Sequence, residues 1–178
     1  MKSILTLNIS IFAFIVFLIT ATAQQPPIPK DASYYRSKGY QVFAEFKFAV
    51  KCPCMLSDIS QRISGDNDIS YGCIVNENSD FHLIMYQILV KRVPQGYFSA
   101  TTERKNQIEE NLFNTMPGSK QRVVYNGVNA VVVSYESKGR TGKAIAFIKN
   151  GATFTFNLLT NDALEEKFNS LTNNIKFF

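Results

Sequence analysis

An α+β domain is what the sequence predicts: an antiparallel sheet that includes a C-terminal four-stranded meander, with two helices, at about 97–115 and 162–175, packed on it. Three observations carry this. Apolar and polar residues alternate from Tyr40 to Val50, two Asn-Gly pairs interrupt apolar runs in the last third, and Leu164, Phe168, Leu171 and Ile175 recur at helical spacing.

The alternation comes first. Tyr40, Val42, Ala44, Phe46, Phe48 and Val50 share one parity, while Gln41, Glu45, Lys47 and Lys51 share the other. Successive side chains of a strand point to opposite faces, so this reads as one half-buried strand. Ile69 to Val75 suggest another, and Asn76 to Asp80 supply a turn. From Phe81 to Val93 both parities are apolar, as in a central strand covered on both faces. Pro94-Gln95-Gly96 ends it. The stretch from Tyr97 to Thr115 then loses period-two alternation and gains polar and charged residues, predicting a surface helix with Phe98, Ile108 and Leu112 inward. Pro117-Gly118 stops that helix.

Asn126-Gly127 separates Val123–Tyr125 from Val128–Tyr135, and Asn150-Gly151 separates Ile145–Lys149 from Thr153–Leu159. Asn-Gly between apolar strands favours the tight primed hairpin turn, because both residues tolerate positive φ. Two such hairpins joined through Ser137 to Gly142 make the meander. Asp162 and Glu165 then form a capping pair ahead of the closing amphipathic helix.

This order of elements, with the early Phe46-x-Phe48 strand, the two hairpins and the closing Phe168 to Phe178 segment, resembles the PsbP-like fold of extrinsic photosystem subunits and small exported bacterial proteins. The resemblance covers residues 40–178. It departs from many bacterial members after the first strand, where Cys52-Pro53-Cys54 stands in place of a tryptophan. Members of this fold are mostly non-enzymatic accessory or binding modules, so the resemblance implies an architecture and a bias against catalysis, and it assigns no residue a role.

Ahead of the domain, Lys2 leads an apolar run from Ile9 to Ile19 that Ala21-Thr22-Ala23 closes, the pattern of an export signal at residues 1–23. The competing reading is a retained membrane anchor, since the run with its flanks approaches the roughly 20 residues that span a bilayer. No cysteine stands at the cleavage position to carry a lipid. The segment 24–39 opens with Pro26, Pro27 and Pro29 and reads as an extended linker, which leaves one domain at 40–178. Export places the chain in the periplasm or outside the cell, soluble after cleavage, with the membrane met only through an uncleaved leader. Removing residues 1–23 leaves 18 basic against 14 acidic residues. The basic ones are scattered along the chain (Lys30, Lys38, Lys47, Lys91, Lys105, Lys120, Lys149, Lys176), without the stripe that tracks phosphates, so nucleic acid is not an expected partner.

The cysteines are the one constellation with chemistry in it. Cys52 and Cys54 are too close in sequence to bond comfortably to each other, so Cys73 is the natural partner in an oxidising compartment. A Cys54–Cys73 bridge is the expectation, with Cys52 as the alternative to Cys54, and a loop of about 20 residues closed this way stabilises by roughly 3 kcal/mol. One thiol is left over. Its functional reading is disulfide exchange within Cys52, Cys54 and Cys73, and its metal reading adds His82, the only histidine, to make a Cys₃His set for zinc or copper(I).

Other chemistries find no support in the pattern. No Gly-x-Ser-x-Gly elbow and no His-Glu-x-x-His pair occurs. Glu109-Glu110 and Glu165-Glu166 sit side by side on helices, where neighbours diverge by about 100° and read as solvated faces. Lys138-Gly139-Arg140-Thr141-Gly142-Lys143 lacks the spacer of a phosphate loop and reads as a basic hairpin loop, with anion binding as its alternative. The sum is an exported non-enzymatic accessory or binding module of the cell envelope, with no cofactor, taking a protein or small ligand; the alternative is a thiol-redox or metal protein built on Cys52, Cys54 and Cys73.

Overall fold

The computed structural model describes residues 30–60, 68–76, 83–137 and 139–178. The architecture is α+β, as the patterning predicts. In chain order it comprises α1 (Ala32–Ser37), β1 (Gln41–Phe43), a 3₁₀ turn (Ala44–Phe46), β2 (Phe48–Val50), β3 (Ser57–Asp58), β4 (Asp68–Asn76) and β5 (Leu83–Arg92). Then follow α2 (Thr102–Thr115), β6 (Ser119–Tyr125), β7 (Val128–Ser137), β8 (Arg140–Lys149), β9 (Ala152–Thr160), α3 (Leu164–Asn173) and β10 (Ile175–Phe177).

Seven strands form one antiparallel sheet in the order β3-β4-β5-β9-β8-β7-β6. The meander β6 to β9 is the half of it that the two Asn-Gly signals predict. At both turns Asn and Gly take left-handed φ values, 49° and 77° at Asn126-Gly127 and again at Asn150-Gly151, the backbone a two-residue primed turn requires. Register fixes which side chains share a face. Phe154 pairs with Val90 and Phe147, and Phe156 pairs with Ile88 and Ile145, so these rows line one side of the sheet. That side is roofed by α3, through Phe168 and Leu171, and by a second sheet of β1, β2 and β10.

The second sheet corrects the sequence reading. The stretch Tyr40–Val50 is not one strand: Lys47 sits at φ 52°, and β1 and β2 fold back on each other with Phe43 opposite Phe48. A non-glycine residue in the left-handed region carries no sequence signal. Lys176 pairs with Ala49 and Phe177 with Phe48, so β10 completes the sheet on the other side of β2. Ile175 therefore belongs to a strand and not to the closing helix, which ends at Asn173. Phe48 drives its ring edge into Phe154 at 5.3 Å and Phe156 at 5.9 Å, with Phe43 stacked behind it at 4.6 Å. Gln41 ties the small sheet to the segment entering β3, its side-chain amide donating to the Leu56 carbonyl (2.6 Å) and accepting from the Leu56 N–H (2.9 Å).

Four further expectations change. The residues read as an extended linker contain α1, capped by the Asp31 carboxylate on the Tyr34 N–H and docked through buried Tyr35; residues 24–29 lie outside the described ones. The helix placed at 97–115 starts at Thr102, its cap being Thr101, and it buries Phe113 while Phe98 lies ahead of it, 72% exposed. Asp162 and Glu165 do not cap α3, whose N-cap is Ala163 in the left-handed region; Asp162 accepts from Lys167 and Glu165 from Lys143. β5 is interior, yet only Ile84, Tyr86, Ile88 and Val90 are buried, and Met85, Gln87 and Leu89 on its other face are half-buried. On that face α2 lays Phe113 over Val131, Val133 and Ala146 and leaves the β4–β5 side to other groups.

Phe48→Ala should cost about 3–5 kcal/mol, since the cavity would open between the two sheets, and a urea melt would show the midpoint falling accordingly. Gly127 and Gly118 both hold positive φ, but only at Gly118 would a Cβ meet backbone, 2.3 Å from the Ser134 carbonyl oxygen. Gly127→Ala is expected to lose about 1–2 kcal/mol, and Gly118→Ala more than that in the same melt.

Candidate functional site

Two places bring chemically capable groups together. The first is the cysteine corner. Leaving β2, the chain passes Lys51 to Leu56 along the edge of the core, and Cys52 and Cys54 pack against it there. Cys73 arrives from β4 on the core-facing parity, opposite Tyr86. Cys54 is disulfide-bonded to Cys73, with Cα atoms 6.0 Å apart and a sequence separation of 19, so the choice left open between Cys52 and Cys54 falls to Cys54. The bridge fastens the small sheet's exit to β4 of the large one.

Cys52 is the free thiol, half-buried. Burial pushes it up to about 12, so at neutral pH it is a protonated apolar side chain, and exchange chemistry requires the thiolate. Two of the three thiolates of a Cys₃His set are spent in the disulfide, His82 lies outside the described residues, and among the described residues no three His, Cys, Asp or Glu side chains stand close enough to hold a metal.

The second place is a cleft of about 340 Å³ between α2 and the β6–β7 hairpin, lined by Asn106, Glu109, Glu110, Phe113, Arg122 and Asn129. Arg122 lays its guanidinium 4.3 Å from the Phe113 ring centroid and pairs with Glu110 at 2.5 Å. Glu109 accepts from the Asn129 side-chain amide at 3.3 Å and lies near Tyr97, whose phenol is held above its ordinary value by burial first and by the Glu109 charge second. Neighbouring carboxylates that diverge on a helix are thus both turned into one cleft, each with its own partner. Such a site presents polar groups of both signs over one aromatic floor, which suits a small polar ligand. No local pattern in the sequence marks Asn106, Arg122 and Asn129, because their convergence depends on how α2 lies across the sheet.

The basic stretch 138–143 is mostly strand. Arg140 to Lys143 belong to β8, and Lys143 is held by the Glu165 carboxylate at 2.6 Å and 2.7 Å, 5.2 Å from the Phe168 ring centroid. A phosphate would have to displace that carboxylate; Lys138 lies outside the described residues.

Breaking the bridge with Cys54→Ala and Cys73→Ala together should cost about 3 kcal/mol through the unfolded chain, read as a lowered urea midpoint that reductant lowers no further. For Cys52 the sign follows from its raised value. The unfolded chain loses this proton near 9.0 and the native chain only near 12, so stability is intact below about pH 9 and falls above it, by up to roughly 1.4 kcal/mol per pH unit. Cys52→Ala should flatten the decline between about pH 9 and 10, before the buried tyrosines begin to contribute, in urea melts run across that range.

No family model matches the chain, and no curated protein does. Among solved structures it is similar to the solution structure of cyanobacterial PsbP (CyanoP) from Synechocystis sp. PCC 6803, at 10% identity and a TM-score of 0.49, over 78% of this chain and 91% of that one. It is also similar to a crystal structure from Bacteroides thetaiotaomicron VPI-5482, at 9% identity and a TM-score of 0.43, over 74% of this chain and 45% of the other. The likeness is one of overall trace alone, and it assigns no residue a role.

Proposed function

We propose that this chain is an exported accessory or binding module of the cell envelope with no catalysis of its own. The observation that carries the reading is the Cys54–Cys73 bridge. Structural disulfides persist in oxidising compartments, and this one ties two sheets of the only domain described. The apolar run Ile9 to Ile19 with Ala21-Thr22-Ala23 behind it supplies the route out. No helix among the described residues is long and apolar enough to cross a membrane, so in this reading the domain meets partners through its surface. The α2–β6–β7 cleft is where a small polar ligand would sit, since Glu110 and Arg122 already hold each other in position there and Asn129 holds Glu109.

The test is the fate of the leader and of the thiols. Expressed in an exporting host, the chain should be recovered from the envelope fraction with Gln24 as its first residue. Intact mass after alkylation should show one modified thiol when denatured without reductant and three after reduction. A chain kept in the cytoplasm with residues 1–23 attached and three free thiols would sink the proposal.

A further inference from the structure

Basic residues that lie far apart in sequence converge on the outer face of the small sheet. Lys176 pairs with Ala49 across β10 and β2, while the Lys51 N–H bonds to the Asn174 carbonyl and the Phe178 N–H to the Lys47 carbonyl. Lys47 and Lys51 are therefore the two diagonal neighbours of Lys176, about 7–8 Å away along the ladder. Lys51 and Lys176 share the parity of Ala49, opposite to that of Phe48 and Val50, which enter the core; Lys47, exposed, ends the 3₁₀ turn just ahead of β2. The same outer face carries α1. Phe178 stands beside Tyr35 at 5.7 Å, and Ala49 has no exposed surface although it points away from the core. Onto this platform α1 and its flanks bring Lys30, Arg36 and Lys38, all exposed.

The charge count shows how uneven the molecule is. These six basic residues share their region, residues 30–51 with β10, with only two acidic ones, Asp31 and Glu45. Asp31 is engaged as the cap of α1, and Glu45 is paired with Arg92. Everything else from residue 24 onward carries 12 basic and 12 acidic residues. Six of the 18 basic residues and only two of the 14 acidic ones from residue 24 onward thus fall in these segments, and a local excess of one sign of charge is what steers a protein onto an oppositely charged surface.

We propose that the outer face of α1 and the β1-β2-β10 sheet is a docking surface for an anionic lipid bilayer. Two features favour lipid over a nucleic acid. The face is a helix laid on a three-stranded sheet, with tyrosines Tyr34 and Tyr40 beside the cations, and tyrosine with Lys or Arg is the combination that sits at a headgroup boundary. It is also the end of the domain that follows the apolar leader in sequence, so Lys30 and α1 are the described groups nearest the bilayer for as long as the leader is uncleaved. The membrane surface it meets follows from the export reading; attraction to anionic lipid does not.

The experiment is co-sedimentation of the chain, purified as the exporting host leaves it, with vesicles of phosphatidylcholine alone or with roughly a third phosphatidylglycerol. Binding is expected only with phosphatidylglycerol, and it should be lost on raising salt from about 0.1 M to about 0.5 M. The variant Lys38→Glu, Lys47→Glu, Lys51→Glu should bind at least about tenfold more weakly, while Lys91→Glu, Arg104→Glu, Lys120→Glu, three reversals elsewhere, should bind as the parent does. If the first variant fails to fold by circular dichroism, single Lys51→Gln and Lys38→Gln substitutions replace it, each expected to weaken binding severalfold. No binding, equal binding to neutral vesicles, equal loss in the control variant, or tighter binding to duplex DNA than to vesicles would each overturn the proposal. None of these outcomes bears on whether residues 1–23 are removed, so failure here and failure of the export reading are separately visible.

Discussion

The contact of Phe48 with Phe154 and Phe156 is the constraint from which the other features follow. Two sheets meet there, one assembled from the beginning and end of the domain, the other from its middle. Phe177 reaches the same cluster from β10, edge-on to Phe154 at 5.2 Å and to Phe147 at 5.7 Å. Because a fully buried aromatic ring removes a large apolar area from water, this interlock sets where β2 lies, and with it where β1 and β10 pair. The cysteine corner is downstream of the same contact. Cys52 and Cys54 follow β2 directly, and their reach to β4 is decided by how β2 sits on the core.

The two sheets divide the tasks of the molecule. The large sheet carries on its far side the α2 helix and the polar cleft, where Phe113 serves both as core residue and as floor under Arg122. The small sheet carries the disulfide at its exit and the cationic platform on its outer face. Between them the sequence spends its one bridge, and Cys52 beside it is kept protonated by burial. A reactive thiol would need the opposite environment, exposed and electropositive.

What was legible in the sequence was whatever depends on near neighbours. Asn126-Gly127 and Asn150-Gly151 located two hairpins because a primed turn is a property of two residues. The same limit explains the errors. Tyr40 to Val50 alternates well enough to pass for one strand, and the left-handed turn at Lys47 that folds it in two has no residue signature. Ile175 continued the helical spacing of Leu164, Phe168 and Leu171, but pairing with Val50 draws it into a strand. Asp162 and Glu165 had the spacing of a capping pair, and Lys167 and Lys143 claimed both carboxylates.

The sequence by itself determined the fold class, the meander with its turns, the existence of two long helices and the identity of Cys73 as the bridging partner, because periodicity and turn chemistry act within a few residues of the chain. Only the tertiary structure decided that Cys54 and not Cys52 makes the bond, that Glu109, Glu110, Arg122 and Asn129 share one cleft, and that Lys51 and Lys176, far apart in sequence, stand on one face of the small sheet. Each of those depends on strand register or on helix placement across a sheet. Both are set by how apolar faces interlock at long range, and that information is spread over the whole chain and cannot be read from any one stretch of it.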